Sequence, residues 1–211
     1  MKEVRKILLP MPSVSNGEAA LTRGYNFARR FGAHLAILHV RTDGRDIAPL
    51  AGEGLSGAMV EELMRSAEHE SSRHAHDVHT LFERFAAANP DVPLVSRHSA
   101  NGLPFPSVSF TVLRGVESEI IPSHARLSDF TLVPHPDSGR EVSSSETLHA
   151  VLFDSGRPVV MAPRTPPVGL IKRVCIGWNG TAESSAALHG ALAWAAEAEA
   201  VRVLHCEDYQ R

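Results

Sequence analysis

One pattern of residues starts twice in this chain of 211 residues and is completed once. Near the N-terminus the apolar run Lys6–Pro10 is followed by a polar turn, an amphipathic stretch and a second apolar run at Leu35–Val40. Near the C-terminus the run Arg173–Gly177 leads through a turn and an amphipathic stretch to Val201–Cys206. Each set predicts a strand, a helix and a strand. Similar units at long spacing predict duplicated domains, with a second copy that stops after one unit.

Further apolar runs alternate with amphipathic stretches between these two units. The predicted strands are Val4–Leu9, Leu35–Val40, Val108–Leu113, Phe130–Val133 and Pro158–Ala162, with Val92–Arg97 as a further candidate. The predicted helices are Ala19–Phe31, Met59–Ala88, Val116–Ala125 and Glu146–Phe153. This alternation predicts an α/β domain over residues 1–163, with a five-stranded, mainly parallel sheet and helices on both faces.

A linker and a partial unit are predicted to follow this domain. Residues 164–171 are rich in proline and predict a stiff linker. Residues 172–211 predict an incomplete second copy, a single βαβ unit, whose unpaired strand edges are expected to attract another chain. Cys175 and Cys206 fall in the predicted strands of this unit, and we expect both to be small buried hydrophobic residues.

Charge and hydropathy exclude several classes of protein. The formal net charge is −3 and the pI is near 6.5, so no broad basic field is present to attract nucleic acid or an anionic membrane. No apolar run approaches the roughly 20 residues that a membrane helix needs. The chain reaches its first predicted strand within a few residues, which leaves no room for a signal peptide and predicts a cytoplasmic protein.

Several stretches resemble the universal stress protein family, in its tandem-domain bacterial form. The matching stretches are Lys6–Pro10, Gly32–Val40, Ala125–Phe130 and Gly156–Pro163 in the first unit and Ile176–Glu183 in the second. The resemblance implies an adenine nucleotide alpha hydrolase-like fold and a role in stress tolerance. It also implies a homodimer that pairs through the last strand of the first domain, Pro158–Ala162.

The resemblance also raises the question of ATP. Family members that bind ATP carry spaced glycines after the fourth strand, because glycine lets the backbone approach phosphates. Here the corresponding stretch, Pro134–Glu146, keeps only Gly139, and its prolines lack backbone donors. Pro12 and Asn179 stand where the family has an aspartate in each copy. The departures predict a degenerate nucleotide crevice and no bound cofactor, with ATP binding or slow ATP hydrolysis through a divergent loop as the alternative.

Any ligand is expected at the carboxyl ends of the strands, where open α/β sheets bind small molecules. The residues predicted to line this crevice are Pro10, Ser13, Val40, Gly139, Ser143, Ser144 and Ser145. The three serines open a predicted helix, where they either bind an anion or only cap the helix.

Other chemistry has little support in the sequence. His69, His74, His76 and His79 lie on one predicted helix, and either a metal shared by His76 and His79 or a solvated helix face accounts for them. The sequence contains neither a Gly-x-Ser-x-Gly elbow nor a Walker loop, so it offers no nucleophile or general base. We therefore predict a non-enzymatic stress-response protein that acts through protein contacts and oligomerisation, without a metal, nucleic acid or membrane.

Overall fold

The computed structural model describes residues 4–15, 17–43, 56–95, 105–135, 142–164 and 171–205, and of residues 142–144 it describes the backbone alone. The chain divides into two compact units. The first unit is Arg5–Pro166, and the second consists of Pro167–Arg211 together with Met1–Val4.

Five parallel strands form the sheet of the first unit. The strands are β1 (Lys6–Pro10), β2 (His34–Arg41), β3 (Ser107–Arg114), β4 (Phe130–Val133) and β5 (Val159–Met161), in the spatial order β3-β2-β1-β4-β5. The helices are α1 (Gly17–Phe31), α2 (Gly57–Ala88), α3 (Glu117–Ala125) and α4 (Val142–Asp154). The predicted α/β fold with a five-stranded parallel sheet is confirmed.

Alternation of side chains along the strands supplies both faces of this sheet with apolar residues. On one face, Leu8 and Leu38 pack in one buried cluster with Ile121 of α3 and Val151 of α4. Helices α3 and α4 thus cover this face of the sheet. Strands that are covered on both faces need apolar residues at nearly every position.

The other face carries α1 and α2. The ring of Phe27 meets that of Phe130 edge to face at 5.9 Å between centroids, which fixes α1 against the sheet. A Cβ atom at Gly24 would lie 3.0 Å from Leu35, so a glycine permits this close approach of helix and strand. Further along, Phe82 of α2 stacks on Phe110 of β3 at 4.9 Å.

The start of β2 carries a buried histidine. The His34 ring bonds through Nδ1 to the Ser107 hydroxyl and through Nε2 to the Ser109 hydroxyl, each at 2.9 Å. Burial lowers the pKa of His34, and the positive charge of Lys6 lowers it further. The ring is therefore neutral near pH 7 and joins β2 to β3 through its hydrogen bonds.

Two predicted boundaries differ from the observed ones. In place of a strand at Val92–Arg97, the residues described up to Val95 form one bridge, between Leu94 and Val108. Helix α4 begins at Val142, four residues before the predicted start, because polar serines fill its first turn and hide its apolar period.

The second unit is described by itself. It consists of β6 (Arg173–Trp178), α5 (Ala182–Ala195) and β7 (Ala200–His205), and its two strands are parallel. Thr181 caps α5, since its side chain accepts a hydrogen bond from the Ser184 backbone at 3.3 Å.

Burial in the second unit is limited. Ile176 is buried, but Cys175 beside it is exposed, so the prediction of a buried Cys175 is wrong. Alternate residues of a strand face opposite sides of the sheet, and α5, the one helix described in this unit, covers one side. Cys206 lies outside the described residues.

Candidate functional site

The strand order of the first unit reverses between β1 and β4. In open α/β sheets ligands bind at such a switch point, outside the carboxyl ends of the strands. The chain segments that meet this position follow β1 and β4, and the next strands along the edge are β2 and β5. The candidate site is therefore built from the residues at these four strand ends and from the starts of α3 and α4.

The turn after β1 uses its polar groups internally. Pro10 and Met11 are buried, and the Met11 N–H donates to the Leu38 carbonyl at 2.9 Å. The Ser13 hydroxyl is half-buried and accepts a hydrogen bond from the Ser15 N–H at 3.1 Å. Pro10 and Pro12 have no N–H to offer. This turn consequently presents few backbone donors to a ligand.

Two residues at the end of β2 concern the crevice: Val40, which was predicted to line it, and His39, which was not. Val40 is buried against the cluster of α3 and α4, so it forms a wall and not a binding group. On the opposite face, the ring of His39 bonds through Nδ1 to the Met11 carbonyl oxygen at 2.7 Å. Since a carbonyl only accepts, Nδ1 carries the proton in this contact.

The environment of His39 keeps it neutral. Burial lowers the pKa of His39, the bond to Met11 opposes this, and the positive charges of His74 and Arg41 lower the pKa further. Its Nε2 atom is buried and has no hydrogen-bond partner among the described residues. Sequence reasoning placed His39 in a strand but had no signal that its ring would be enclosed on the α2 side.

A carboxyl group lies between the starts of α3 and α4. The Thr147 hydroxyl donates a hydrogen bond to Glu117, the first residue of α3. Burial raises the pKa of Glu117, the Thr147 hydrogen bond opposes this, and the negative charge of Glu146 raises the pKa further. A partly buried acidic group with a second acid nearby makes this part of the crevice unfavourable for phosphate.

An arginine and a histidine meet at the ends of β4 and β5. Pro134 is buried directly after β4, and His135 follows it. Arg164, three residues beyond β5, donates through Nε to Nδ1 of His135 at 3.4 Å. Sequence reasoning assigned Arg164 to a linker and so missed it as a neighbour of this edge.

The remaining predicted lining residues are only partly described. Ser143, Ser144 and Ser145 lie in the first turn of α4, and the Ser145 side chain is exposed. Gly139 and the side chains of Ser143 and Ser144 lie outside the described residues. The structure thus places Pro10, Ser13 and Val40 at strand ends without showing that any of them binds a ligand.

A Gly-x-Gly-x-x-Gly spacing occurs at Gly52–Gly57 and opens α2. A dinucleotide fingerprint needs these glycines directly after a strand, where the turn brings the helix N-terminus to the phosphates. Here β2 ends at Arg41, eleven residues before Gly52. Among the residues that the structure describes, no strand leads directly into this spacing, and Gly52 and Gly54 lie outside them.

The four histidines of α2 are all exposed. His74 lies 4.0 Å from Glu70 and His79 lies 3.6 Å from Glu83, each within one helical turn. The described residues contain no group of three or more histidine, cysteine, aspartate or glutamate side chains arranged to hold a metal ion. Among the described helices, none is long and apolar enough to cross a membrane.

Comparison with known proteins identifies the fold. No protein-family model matches the chain, and no curated protein matches it. Among solved structures, the universal stress protein UspA from Lactobacillus plantarum is 18% identical with a TM-score of 0.51, and the match covers 77% of this chain and 100% of that one. The hypothetical protein MJ0577 is 18% identical with a TM-score of 0.50, and the match covers 79% and 100%. The chain therefore shares the α/β fold of a universal stress protein.

Proposed function

We propose that this chain is a non-enzymatic, cytoplasmic stress-response protein that acts through protein contacts and oligomerisation. The shared fold supports the class, and a crevice unsuited to polyphosphate supports the absence of nucleotide chemistry. We further propose that the second unit is a partial copy of the first, as in a tandem universal stress protein, because both contain a parallel strand–helix–strand unit.

The crevice argument rests on backbone donors and charge. Phosphate groups are held by free N–H groups near a helix N-terminus. Pro10, Pro12 and Pro134 have none, and the Met11 N–H already bonds Leu38. Glu117, partly buried beside Thr147, adds a group that repels phosphate whenever it is ionised. These residues favour a crevice that has lost its affinity for a triphosphate.

Calorimetric titration of the full chain with ATP and Mg²⁺ tests this proposal. We expect no binding with a Kd tighter than about 1 mM, a threshold near 4 kcal/mol of binding free energy. A Kd in the micromolar range, or nucleotide that remains bound through purification and is identified by mass, would contradict the proposal.

The second candidate is an adenine-nucleotide-binding protein or slow ATPase. Arg164 favours it, because it places positive charge just beyond the end of β5, beside His135 at the end of β4. If nucleotide binds, Arg164→Ala should weaken it by at least tenfold. Arg73→Ala, which removes an exposed arginine of α2, is the matched control and should leave the affinity unchanged.

We also propose a homodimer through β5, the edge strand of the sheet. The Pro158 carbonyl accepts from Thr131 and the Ala162 N–H donates to Val133, so these residues face β4. Alternation then turns the backbone groups of Val159 and Met161 outwards. Phe153, at the end of α4 and 79% exposed, adds apolar surface a few residues before the strand.

Met161→Pro tests this edge, because proline removes an outward N–H without breaking a bond to β4. Light scattering should give a lower mass for this variant than for the unmodified chain at the same concentration. Met161→Val keeps the N–H and should behave like the unmodified chain. An unchanged mass for Met161→Pro would show that β5 does not form the interface.

A further inference from the structure

The ring of His39 has one nitrogen with a hydrogen-bond partner and one without. The Nδ1–H group donates to the Met11 carbonyl at 2.7 Å. The Nε2 atom is buried and has no partner among the described residues, and His39 as a whole is 2% exposed. Because a buried polar atom that lacks a partner costs free energy, the end of β2 carries an unfavourable group in this arrangement.

Arg41, two residues further along β2, repeats this feature on the same face of the sheet. Residues two apart in a strand point to the same side, and the Arg41 guanidinium donates to the Ser72 hydroxyl of α2. The Nε atom of Arg41 is buried and also lacks a partner among the residues described. Helix α2 therefore lies on the side of the sheet that holds both unsatisfied atoms.

The charges that shift the pKa of His39 are both positive. Burial lowers this pKa, the bond to the Met11 carbonyl opposes the effect, and the charges of His74 in α2 and Arg41 lower it further. The residue of β3 in register with His39 is Val112, which carries no charge. A proton on Nε2 therefore adds a positive charge near two others, at an atom for which the described residues offer no acceptor.

Two acidic residues of α2 pair with other basic groups. Glu68 bonds Arg114, the last residue of β3, at 2.9 Å, and Glu70 lies 4.0 Å from His74. The other acids of the adjoining segments are the exposed Asp77 of α2, the exposed Glu18 of α1 and the half-buried Asp43 after β2. Among the described residues, the positive charges that lower the pKa of His39 are not offset by a carboxylate.

Burial is unevenly distributed along α2. Residues 57–77 are exposed or half-buried. Among the residues of α2, all of which are described, Val78 is the only buried one, and Phe82 one turn later stacks on Phe110 of β3 at 4.9 Å. The second part of the helix is therefore fixed by apolar packing on the sheet, whereas the first part buries no residue.

Polar contacts hold the first part of α2 to the strand ends. Arg114 at the end of β3 bonds Glu68, and Arg41 at the end of β2 donates to Ser72. Such contacts contribute little net stability, because water replaces them when they break. A segment with few buried apolar contacts opens at low free energy, so this part of α2 can leave the sheet while the rest of the first unit stays folded.

We propose that residues 57–76 of α2 form a proton-controlled cover over the end of β2. When Nε2 of His39 binds a proton, this segment leaves the sheet, whereas residues 78–88 stay packed. Release allows water to reach Nε2 of His39 and Nε of Arg41, and it separates their positive charges from that of His74. The opening uncovers the carboxyl end of β2 beside the turn after β1. This response is separate from ligand binding in the crevice and does not depend on it.

Hydrogen exchange of the full chain, followed by mass spectrometry of its peptides, tests the release. One proton that binds the open form with the ordinary histidine pKa near 6.5, and binds the closed form weakly, raises the opening equilibrium up to about eightfold between pH 7 and pH 5.5. The protection of residues 61–76, corrected for the intrinsic exchange rate at each pH, should fall by about this factor. A change of less than about twofold overturns the proposal.

Exchange in α1 separates local release from unfolding of the whole first unit. Residues 21–31 of α1 should stay more strongly protected than residues 61–76 at both pH values, because they belong to the part that remains packed. Equal protection of the two segments at pH 5.5 would mean that the first unit opens as a whole, and it would overturn the local release.

A substitution of His39 tests which group binds the proton. His39→Asn removes the titrating ring and keeps an N–H that can donate to the Met11 carbonyl, so the protection of residues 61–76 should be the same at pH 7 and pH 5.5. His76→Asn, which changes an exposed histidine of the same segment, is the matched control and should retain the full response. A response that persists in His39→Asn, or is lost in His76→Asn, overturns the assignment to His39.

NMR spectroscopy of the unmodified chain with ¹⁵N-labelled histidine gives a readout that needs no variant. At pH 7 His39 should show the tautomer with its proton on Nδ1, since Nδ1 donates to the Met11 carbonyl. Protonation of Nε2 should occur over the same pH range as the loss of protection of residues 61–76. A His39 ring that becomes protonated while this segment stays protected overturns the proposal.

Discussion

Strands β2 and β7 occupy the same place in two parallel strand–helix–strand units, and their surroundings differ completely. Most of β2 is buried, whereas every residue of β7 is exposed. Ile37 and Val203 are each the fourth residue of their strand, yet Ile37 is 1% exposed and Val203 is 61% exposed. The strand–helix–strand unit therefore does not bury its second strand. In addition to β1 and α1 of its own unit, β2 is covered by β3, α2 and α3, which complete its burial.

This difference has an energetic consequence. Full burial of an aliphatic side chain contributes about 1.5–3 kcal/mol. Residues of β2 contribute this amount, and the corresponding residues of β7 contribute little of it within the described part of the second unit. Similar apolar sequence patterns therefore contribute different amounts of free energy to the stability of the two units.

The largest expected effect is a difference between truncations of these two strands. Ile37→Ala should lower the free energy of unfolding of the first unit by about 2–5 kcal/mol, because it leaves a cavity in a packed core. Val203→Ala should change stability by less than about 1 kcal/mol, because its side chain is already in contact with solvent.

Urea unfolding measures both effects separately. The two tryptophans of the chain, Trp178 and Trp194, lie in the second unit, so their fluorescence reports that unit, and circular dichroism reports both. Equal losses for Ile37→Ala and Val203→Ala would mean that β7 is covered in solution, and the contrast between the units would fail.

A smaller effect is expected from acid. Burial lowers the pKa values of His34 and His39 in β2, whereas the two described histidines of the second unit, His189 and His205, are exposed. As the pH falls through the ordinary histidine value near 6.5, the unfolded chain binds protons that the folded first unit does not bind. Stability of the first unit should fall by up to about 2.7 kcal/mol per pH unit for two protons, until the lowered folded pKa values are reached.

Glu117 has the opposite effect on the change of stability with pH. Burial raises its pKa in the folded state, so its ionised form is unfavourable there and protonation on acidification stabilises the fold. Glu117→Gln removes this opposing contribution and should make the loss between pH 7 and pH 5 steeper. Urea midpoints by circular dichroism, compared with tryptophan fluorescence, provide the measurement. A first unit whose stability does not fall between pH 7 and pH 5 would contradict the neutral, buried state of the two histidines.

The fold was predictable from the sequence because its strands are continuous apolar runs. Phe130–Val133 was predicted with its observed limits, and Gly32, with φ of +58°, ends α1 as expected of a glycine in the left-handed region. The exposure of Cys175 was not predictable from its strand, because the exposure of a strand residue depends on the elements that pack against the strand. A local pattern does not show whether such elements are present.

The site was less predictable than the fold. Pro10, Ser13 and Val40 were placed at strand ends by pattern alone, but their role in binding stays a prediction. Glu117 and Arg164 each form a hydrogen bond with a residue that is distant in sequence, Thr147 and His135 respectively. No spacing rule connects such residues, so only three-dimensional proximity reveals the acidic and basic sides of the crevice.

The pair of serines that holds His34 has a consequence for proton placement. A hydroxyl donates or accepts with equal ease, so the ring is satisfied with its proton on either nitrogen once both hydroxyls rotate. Replacing Ser107 with alanine would leave Nδ1 without a hydroxyl, and replacing Ser109 would do the same to Nε2. Two small side chains therefore keep both tautomers of an enclosed imidazole equally acceptable, and both hydroxyls are needed to satisfy the ring in either one.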